Sequence, residues 1–404
     1  MIKLRLLRTY RKPIKLEIFT SILLILSTIA ALIMYNSPLN NVYENIIENT
    51  YIFNEITLHM FINDFLMAIF FLVAGLEIKH EILYGKLSSF KQASFPVVAS
   101  IGGVLVPALI FIFINKGTEY INGFCIPIST DIAFAVGVFL IFSKKLNPSL
   151  KVFLLSLAVV DDLISIFAIG TIFSINIDVT YLTLAILIFM TLIIANKFFN
   201  IQSIYYYLIS GLCLWYFIYL SGVHSTISGI LLALTIPSSH RFGTSTLEKL
   251  QMLLVPINSL LIIPLFAFAN TGLTLSSNIN IFNPKVSSLY IGIILALCLG
   301  KPLGIMLFSF LGCKLGIAEK PNNISWGAVF LVSLIAGIGF TMSIFMSELA
   351  FMDNPFLIDA SKTSILIASV ISVISTFISI TIYDLILKLK YQNATHLTKK
   401  YYIS

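Results

Sequence analysis

Apolar stretches of about 20 residues recur from residue 17 almost to the end of the sequence, and each is long enough to cross roughly 30 Å of hydrocarbon as an α-helix. No soluble domain fits between them. The residues are 58% hydrophobic and 11% charged, with a mean hydropathy of +0.99, far above a soluble globular chain. The expected fold class is therefore an all-α integral membrane protein. Twelve transmembrane helices are predicted, at 17–35, 58–78, 94–115, 124–143, 151–174, 179–196, 203–220, 222–237, 252–271, 286–312, 323–347 and 360–387. The division between the seventh and eighth, around Ser221 and Gly222, is the softest.

Basic residues divide unevenly across this map. With the N-terminus inside, twenty-one of the 25 fall on the cytoplasmic side, beginning with Lys3, Arg5, Arg8, Arg11, Lys12 and Lys15. The outer loops hold three, Lys116, Lys285 and Lys362, and Lys301 lies within a span. This is the positive-inside pattern, and it predicts cytoplasmic termini. It also accounts for the net charge of +7 without a nucleic-acid partner. The domain expected is a single transmembrane unit over 1–404, with a cytoplasmic N-terminus at 1–16, an outer loop or hairpin at 36–57 and a cytoplasmic tail at 388–404. The basic start is read as the front of the first helix rather than a signal peptide, because its apolar part is too long and no small-residue cleavage site follows.

Four scattered cysteines lack metal-ligand spacing, and neither a Walker A nor an HExxH sequence occurs. No cofactor and no enzymatic activity are expected. The informative residues are the ionisable ones inside spans, which cost about 2.5–3.5 kcal/mol each at a helix centre and are functional candidates for that reason. They are Asp64, Asp131, Asp161, Asp162 and Lys301, with Glu77 near the inner end of the second span.

The loop SKKLNPSLK makes the fourth and fifth spans antiparallel neighbours. Asp131 precedes it by about a dozen residues and Asp161 follows it by about ten, so at 1.5 Å per residue both sit near the midplane. Lys301 is equally central in its own span, and a salt bridge to one aspartate is expected. Adjacent helix positions differ by about 100°, so Asp161 and Asp162 cannot serve one partner equally. A purely structural ion pair would leave surplus acid at that depth, which a bound cation or proton answers better.

The fourth span opens CIPISTDIAF, where Pro127 breaks helix and Ser129 and Thr130 add hydroxyls. The eleventh carries IAGIGFTMSIF, with Gly337, Gly339, Thr341 and Ser343 in mid-membrane. Two interrupted spans occupy matching places in spans 3–5 and 10–12, the pattern of a transporter built on inverted-topology repeats with its ion site at the interruptions.

Seven segments, in order, resemble the NhaA family of bacterial sodium/proton antiporters. They are MAIFFLVAGLEIK (67–79), PISTDIAFAVGV (127–138), LAVVDDL (157–163), SGVHSTISG (221–229), IIPLFAFANTG (262–272), LGKPLGI (299–305) and GIGFTMSIF (337–345). The resemblance implies exchange of cytoplasmic Na+, and Li+ with it, for external H+ in the bacterial inner membrane, by electrogenic alternating access that serves pH homeostasis. It implies that Asp162 is the principal sodium ligand and that Asp161 pairs with Lys301. Thr130 would lend an oxygen, Asp131 would compensate opposed half-helix ends, and Asp64 would help shape or supply the site or cap its helix. Carboxylates out of water hold either protons or a hard cation, so the two ions compete for one set of oxygens. Whether Lys301 carries a transported proton or only holds the scaffold stays open.

Glu77, His80 and Glu81 share one face of a helix end and match the family's cytoplasmic pH-responsive mouth, as His224 matches another position tied to pH; each also reads as an ordinary structural residue. The stretch LEKLQMLLVP departs from the family. It offers Glu248 and Lys249 but Gln251, Met252 and Val255 where titratable groups are usual, which predicts a flatter or shifted pH profile. Segment 36–55 corresponds to the family's dimerisation hairpin and implies a homodimer in lipid, though as sequence it is only a loop. Of other classes, an intramembrane aspartyl protease lacks its GxGD and central Tyr-Asp flanks, a sodium-coupled solute symporter needs a roomier polar site, and a channel would be blocked by a midplane ion pair.

Overall fold

The computed structural model describes residues 2–53, 56–85, 88–142, 146–172, 177–239, 244–274, 286–321 and 323–401. Lys86, Lys144, Lys145, Arg241 and Lys285, which contribute to the charge asymmetry, lie outside the described residues, as do the side chains of 2–15 and 386–401. Nearly everything described is helix. The order is α1 (Ile2–Tyr35), α2 (Asn40–Ile47), a two-stranded antiparallel pair β1 (Tyr51–Phe53) and β2 (Ile56–Thr57), then α3 (Leu58–Tyr84) and α4 (Phe90–Ile114). A 3₁₀ helix (Glu119–Ile128) leads into α5 (Ile132–Ile141), followed by α6 (Pro148–Ile172), α7 (Val179–Lys197), α8 (Ile204–Leu220) and α9 (Ile227–Thr235). The chain continues through α10 (Thr246–Asn270), α11 (Ser287–Lys314), α12 (Trp326–Ala336), α13 (Phe340–Ala350) and α14 (Pro355–Tyr401).

Among the described residues, eight helices are long and apolar enough to span a membrane, or up to ten if each of two bent pairs counts as one span. The seventh and eighth predicted spans are the shortfall. Helix α8 has 17 residues, at the lower limit for crossing, and α9 has nine, about 14 Å of helix. The reason is local: Gly222 takes a left-handed φ of 76° and residues 221–226 form a turn, so an apolar stretch that averages like a span is only half helix.

Helix α4 shows the membrane character directly. Leu105, Leu109 and Phe113, four apart on one face, are exposed, as expected of a lipid-facing stripe. Its other face crosses α11 with backbones in contact. A Cβ on Gly102 would lie 2.2 Å from the Gly304 carbonyl, and one on Gly304 would lie 2.1 Å from the Gly102 carbonyl. Small residues at both positions allow this approach, and it sets Lys301, three residues before Gly304, against α4.

Both predicted interruptions are present. The 3₁₀ helix and α5 bend by 46° around Ser129–Asp131, and α12 and α13 bend by 47° around Gly337–Gly339. Polar backbone exposed by a break inside a membrane needs partners, and the two breaks supply each other. The Asp131 amide donates to the Ile338 carbonyl at 2.9 Å, the Thr130 hydroxyl lies 3.1 Å from the Ala336 carbonyl, and the Ser343 hydroxyl donates to the Ile126 carbonyl at 2.7 Å. In segment 36–57, α2 docks on α10 through the Tyr43 hydroxyl, 2.6 Å from the Phe268 carbonyl.

Candidate functional site

The crossing of the two breaks faces the middle of α6, where Asp161 and Asp162 sit. Asp161 is saturated. Its Oδ2 lies 3.1 Å from the Lys301 ammonium and accepts the Thr130 hydroxyl at 2.9 Å, while its Oδ1 accepts the Ser100 hydroxyl. Lys301 also donates to the Ile128 carbonyl at 2.7 Å, one residue before the break. Lys301 and Asp161 are fully buried.

Asp162 is the opposite case. It is 1% exposed, and neither carboxylate oxygen has a hydrogen-bond partner among the described residues. An ionised carboxylate without partners is costly to bury. The arrangement therefore suits a group whose partner is a mobile ion or a proton.

Asp131 ties the two breaks together. Its Oδ1 accepts the Phe134 amide at 2.9 Å and so caps α5; its Oδ2 accepts the Thr341 amide at 3.1 Å and the Thr341 hydroxyl at the start of α13. Two helix N-termini, each with a partial positive charge, thus converge on one carboxylate.

A cavity of about 170 Å³ reaches this region from the side where α1 enters its apolar part and α3 ends. Glu17 and Glu77 line it, as do Asp131 and Thr341. Leu155 of α6 also lines it, and Asp162 lies seven residues further, two turns along the same face. The Lys151 ammonium holds Glu17 at 2.5 Å.

The structure thus gathers Asp161, Lys301 and Thr130 into one contact set with Asp162 beside it, and Asp131 into the crossing. It does not bring in Asp64: that carboxylate accepts the Ser225 hydroxyl at 2.8 Å, and no hydrogen bond or ion pair joins it to the cluster among the described residues. Of the predicted inner-end triplet, only Glu77 lines the cavity; His80 packs its ring against Tyr84, and Glu81 lies a turn beyond Glu77. His224, next to Ser225, is half-buried at the turn before α9. Glu248 forms a capping box with Ser245, which gives it a structural task at the start of α10. Sequence reading missed Ser100 and Glu17. A serine in a membrane helix carries little signal by itself, and Glu17 reads as an ordinary acid at a helix entrance.

No three His, Cys, Asp or Glu side chains converge as a metal cluster among the described residues. A hard cation here would complete its shell from hydroxyls, carbonyls and water around one or two carboxylates.

Comparison with known proteins places the chain in a family. The family profile described as Na+/H+ antiporter 1 matches residues 11–380. The chain is 39% identical to the Na(+)/H(+) antiporter NhaA of Helicobacter acinonychis (strain Sheeba), over 90% of this chain and 93% of that one. It is 39% identical to the protein of that name from Pelagibacter ubique (strain HTCC1062), over 91% and 97%. For the one from Actinobacillus pleuropneumoniae serotype 3 (strain JL03) the identity is 37%, over 95% and 98%.

Proposed function

Because this chain belongs to the Na+/H+ antiporter 1 family, and is a multi-pass membrane sodium/proton antiporter, we propose that its exchange runs through Asp162. The observation that carries this is the contrast between neighbours: Asp161 is filled by Lys301, Thr130 and Ser100, while both oxygens of Asp162 are left without partners. Asp162 is the acid that takes sodium or a proton in turn. Thr130 lends an oxygen to the ion. Asp131 neutralises the facing helix ends, and Asp64 serves the path on the far side of the site.

In the proposed cycle the cavity beside Glu77 admits sodium from the cytoplasm, and sodium displaces protons from the acids. A rocking step exposes the site outward, where protons displace sodium. Exchange is electrogenic, Li+ is accepted as well, and no cofactor takes part. The remaining expectations complete the reading: twelve crossings arranged as inverted repeats, with both termini on the cytoplasmic side of the bacterial inner membrane, and a homodimer through segment 36–55. A sodium-coupled solute symporter is disfavoured by a cavity of about 170 Å³ with largely apolar walls.

The test is sodium-induced collapse of a preset pH gradient in proteoliposomes. The parent responds and Asp162→Asn does not. A full response in Asp162→Asn overturns the assignment of the ion to this carboxylate.

A further inference from the structure

Helix α10 contains a polar residue whose task the site above does not explain. Asn258 sits in the apolar run LLVPINSLLIIP, two residues after Pro256, and opens a π-helical turn, Asn258–Ile262. Such turns are frequent at functional sites because they re-aim side chains out of the regular ladder. Asn258 is 7% exposed, lines the cavity that leads to Asp131, and its amide oxygen has no hydrogen-bond partner among the described residues. A buried amide oxygen left bare costs folding free energy unless something fills it. In a cavity, a transient ligand can do so.

The opposite wall names the ligand. The π-turn packs against α3, whose cavity face runs Glu77, Ala74, Val73 and Phe70. Along α10, Asn258 lies between Val255 and Ile263, about 4.5 Å further in than Val255. The remaining lining is mostly apolar, apart from Glu17, Thr20, Ser259, Asp131 and Thr341. A carboxylate on one wall and a neutral amide oxygen on the other suit a hard monovalent cation that keeps part of its water.

We propose that Asn258 and Glu77 form a staging site for a partly hydrated sodium ion between the cytoplasmic mouth and the Asp162 carboxylate. This rests on the sodium-exchange reading above and adds a second, weaker cation site to it. Glu77 supplies the charge. Asn258 supplies an oxygen that replaces one water ligand before the ion moves deeper. The amide is neutral, so the ion is held loosely and moves on.

The test uses the full-length protein in membrane vesicles of both orientations. With sodium given to the cytoplasmic face, Asn258→Leu raises its KM about fivefold, the scale of one lost polar contact, and leaves the maximal rate within about twofold. With sodium given to the outer face, KM is kept and the maximal rate falls by a similar factor, because the ion then leaves through the same site and forward and reverse efficiencies must stay in proportion. Asn258→Asp, which keeps the oxygen, has a cytoplasmic-face KM at or below the parent value. An unchanged cytoplasmic-face KM in Asn258→Leu, an equal rise of KM on both faces, or an Asn258→Asp that behaves like Asn258→Leu overturns the proposal. Asp162→Asn, measured alongside, separates the two ideas: exchange that survives it refutes the carboxylate reading, whatever Asn258 does.

Discussion

The Lys301 ammonium lies 3.1 Å from Asp161 Oδ2 with both side chains fully buried, and the next acid on the same helix, Asp162, has no such partner. Two chemically identical residues thus sit in opposite energetic situations. Removing one member of a buried pair strands the other charge and costs about 3–5 kcal/mol. Asp161→Asn is therefore expected to lower the Tm of the detergent-purified protein markedly. Asp162→Asn removes a carboxylate that has nothing to lose, and its Tm should equal or exceed the parent's in sodium-free buffer while the Tm increase on adding sodium vanishes. Equal destabilisation by both substitutions would show that the two acids share one network.

Thr341 holds Asp131 twice, through its amide and its hydroxyl. Thr341→Val keeps the amide and the shape but removes the hydroxyl, leaving a buried carboxylate short of one donor. A loss of about 1–3 kcal/mol is expected, together with slower exchange, since the same contact joins the two broken helices. Thr341→Ser should recover both. Thermal unfolding and proteoliposome flux measured on the same preparations check this, and a Thr341→Val as stable and active as the parent would remove the crossing from the mechanism.

Gly304 and Gly102 allow α11 and α4 to touch, and the added Cβ of Gly304→Ala would meet the Gly102 carbonyl at 2.1 Å. That contact is backbone and cannot swing aside. The helices must part, at about 1–3 kcal/mol for overpacking, and Lys301 moves with α11 away from Asp161. Gly304→Ala should therefore reduce transport more than stability. Gly316→Ala, on the same chain but with nothing within 4 Å of the added carbon, carries only backbone strain at φ +73° and should transport normally.

Asp131, Asp161, Asp162 and Lys301 were legible in the sequence because an ionisable residue in an apolar span is conspicuous, and counting from a short loop sets its depth. The interruptions at Ser129–Asp131 and Gly337–Gly339 were legible because proline and paired glycines oppose helix where hydropathy demands one. That Asp161 rather than Asp162 takes Lys301 agrees with what the resemblance implies; the residues themselves left that choice open. Ser100 was not legible, since its partner is 61 positions away and depends on how α4 packs against α6. The shortness of α9 was hidden for a different reason: hydropathy averages over Ser221–Thr226 without seeing that the backbone turns there.

The last expectation concerns pH. Val255 faces the cavity that Glu17 and Glu77 line, at a place where the resemblance leads one to expect a titratable group, and Glu248 is engaged in its capping box with Ser245. The α10 wall therefore carries no group that changes charge with pH, and titration within the cavity is left to the acids on its other walls. The parent is expected to exchange over a broad pH range without steep alkaline activation. Val255→His would place an imidazole with an ordinary pKa of about 6.5 on that wall. Below that pH the ring is cationic and holds sodium off; above it the ring is neutral. The variant should fall below the parent at acid pH and meet it at alkaline pH, giving a steeper profile in everted vesicles scanned from about pH 5.5 to 8.5. A parent that is already steep, or a variant whose profile runs parallel to the parent's, would place the pH response elsewhere in the protein.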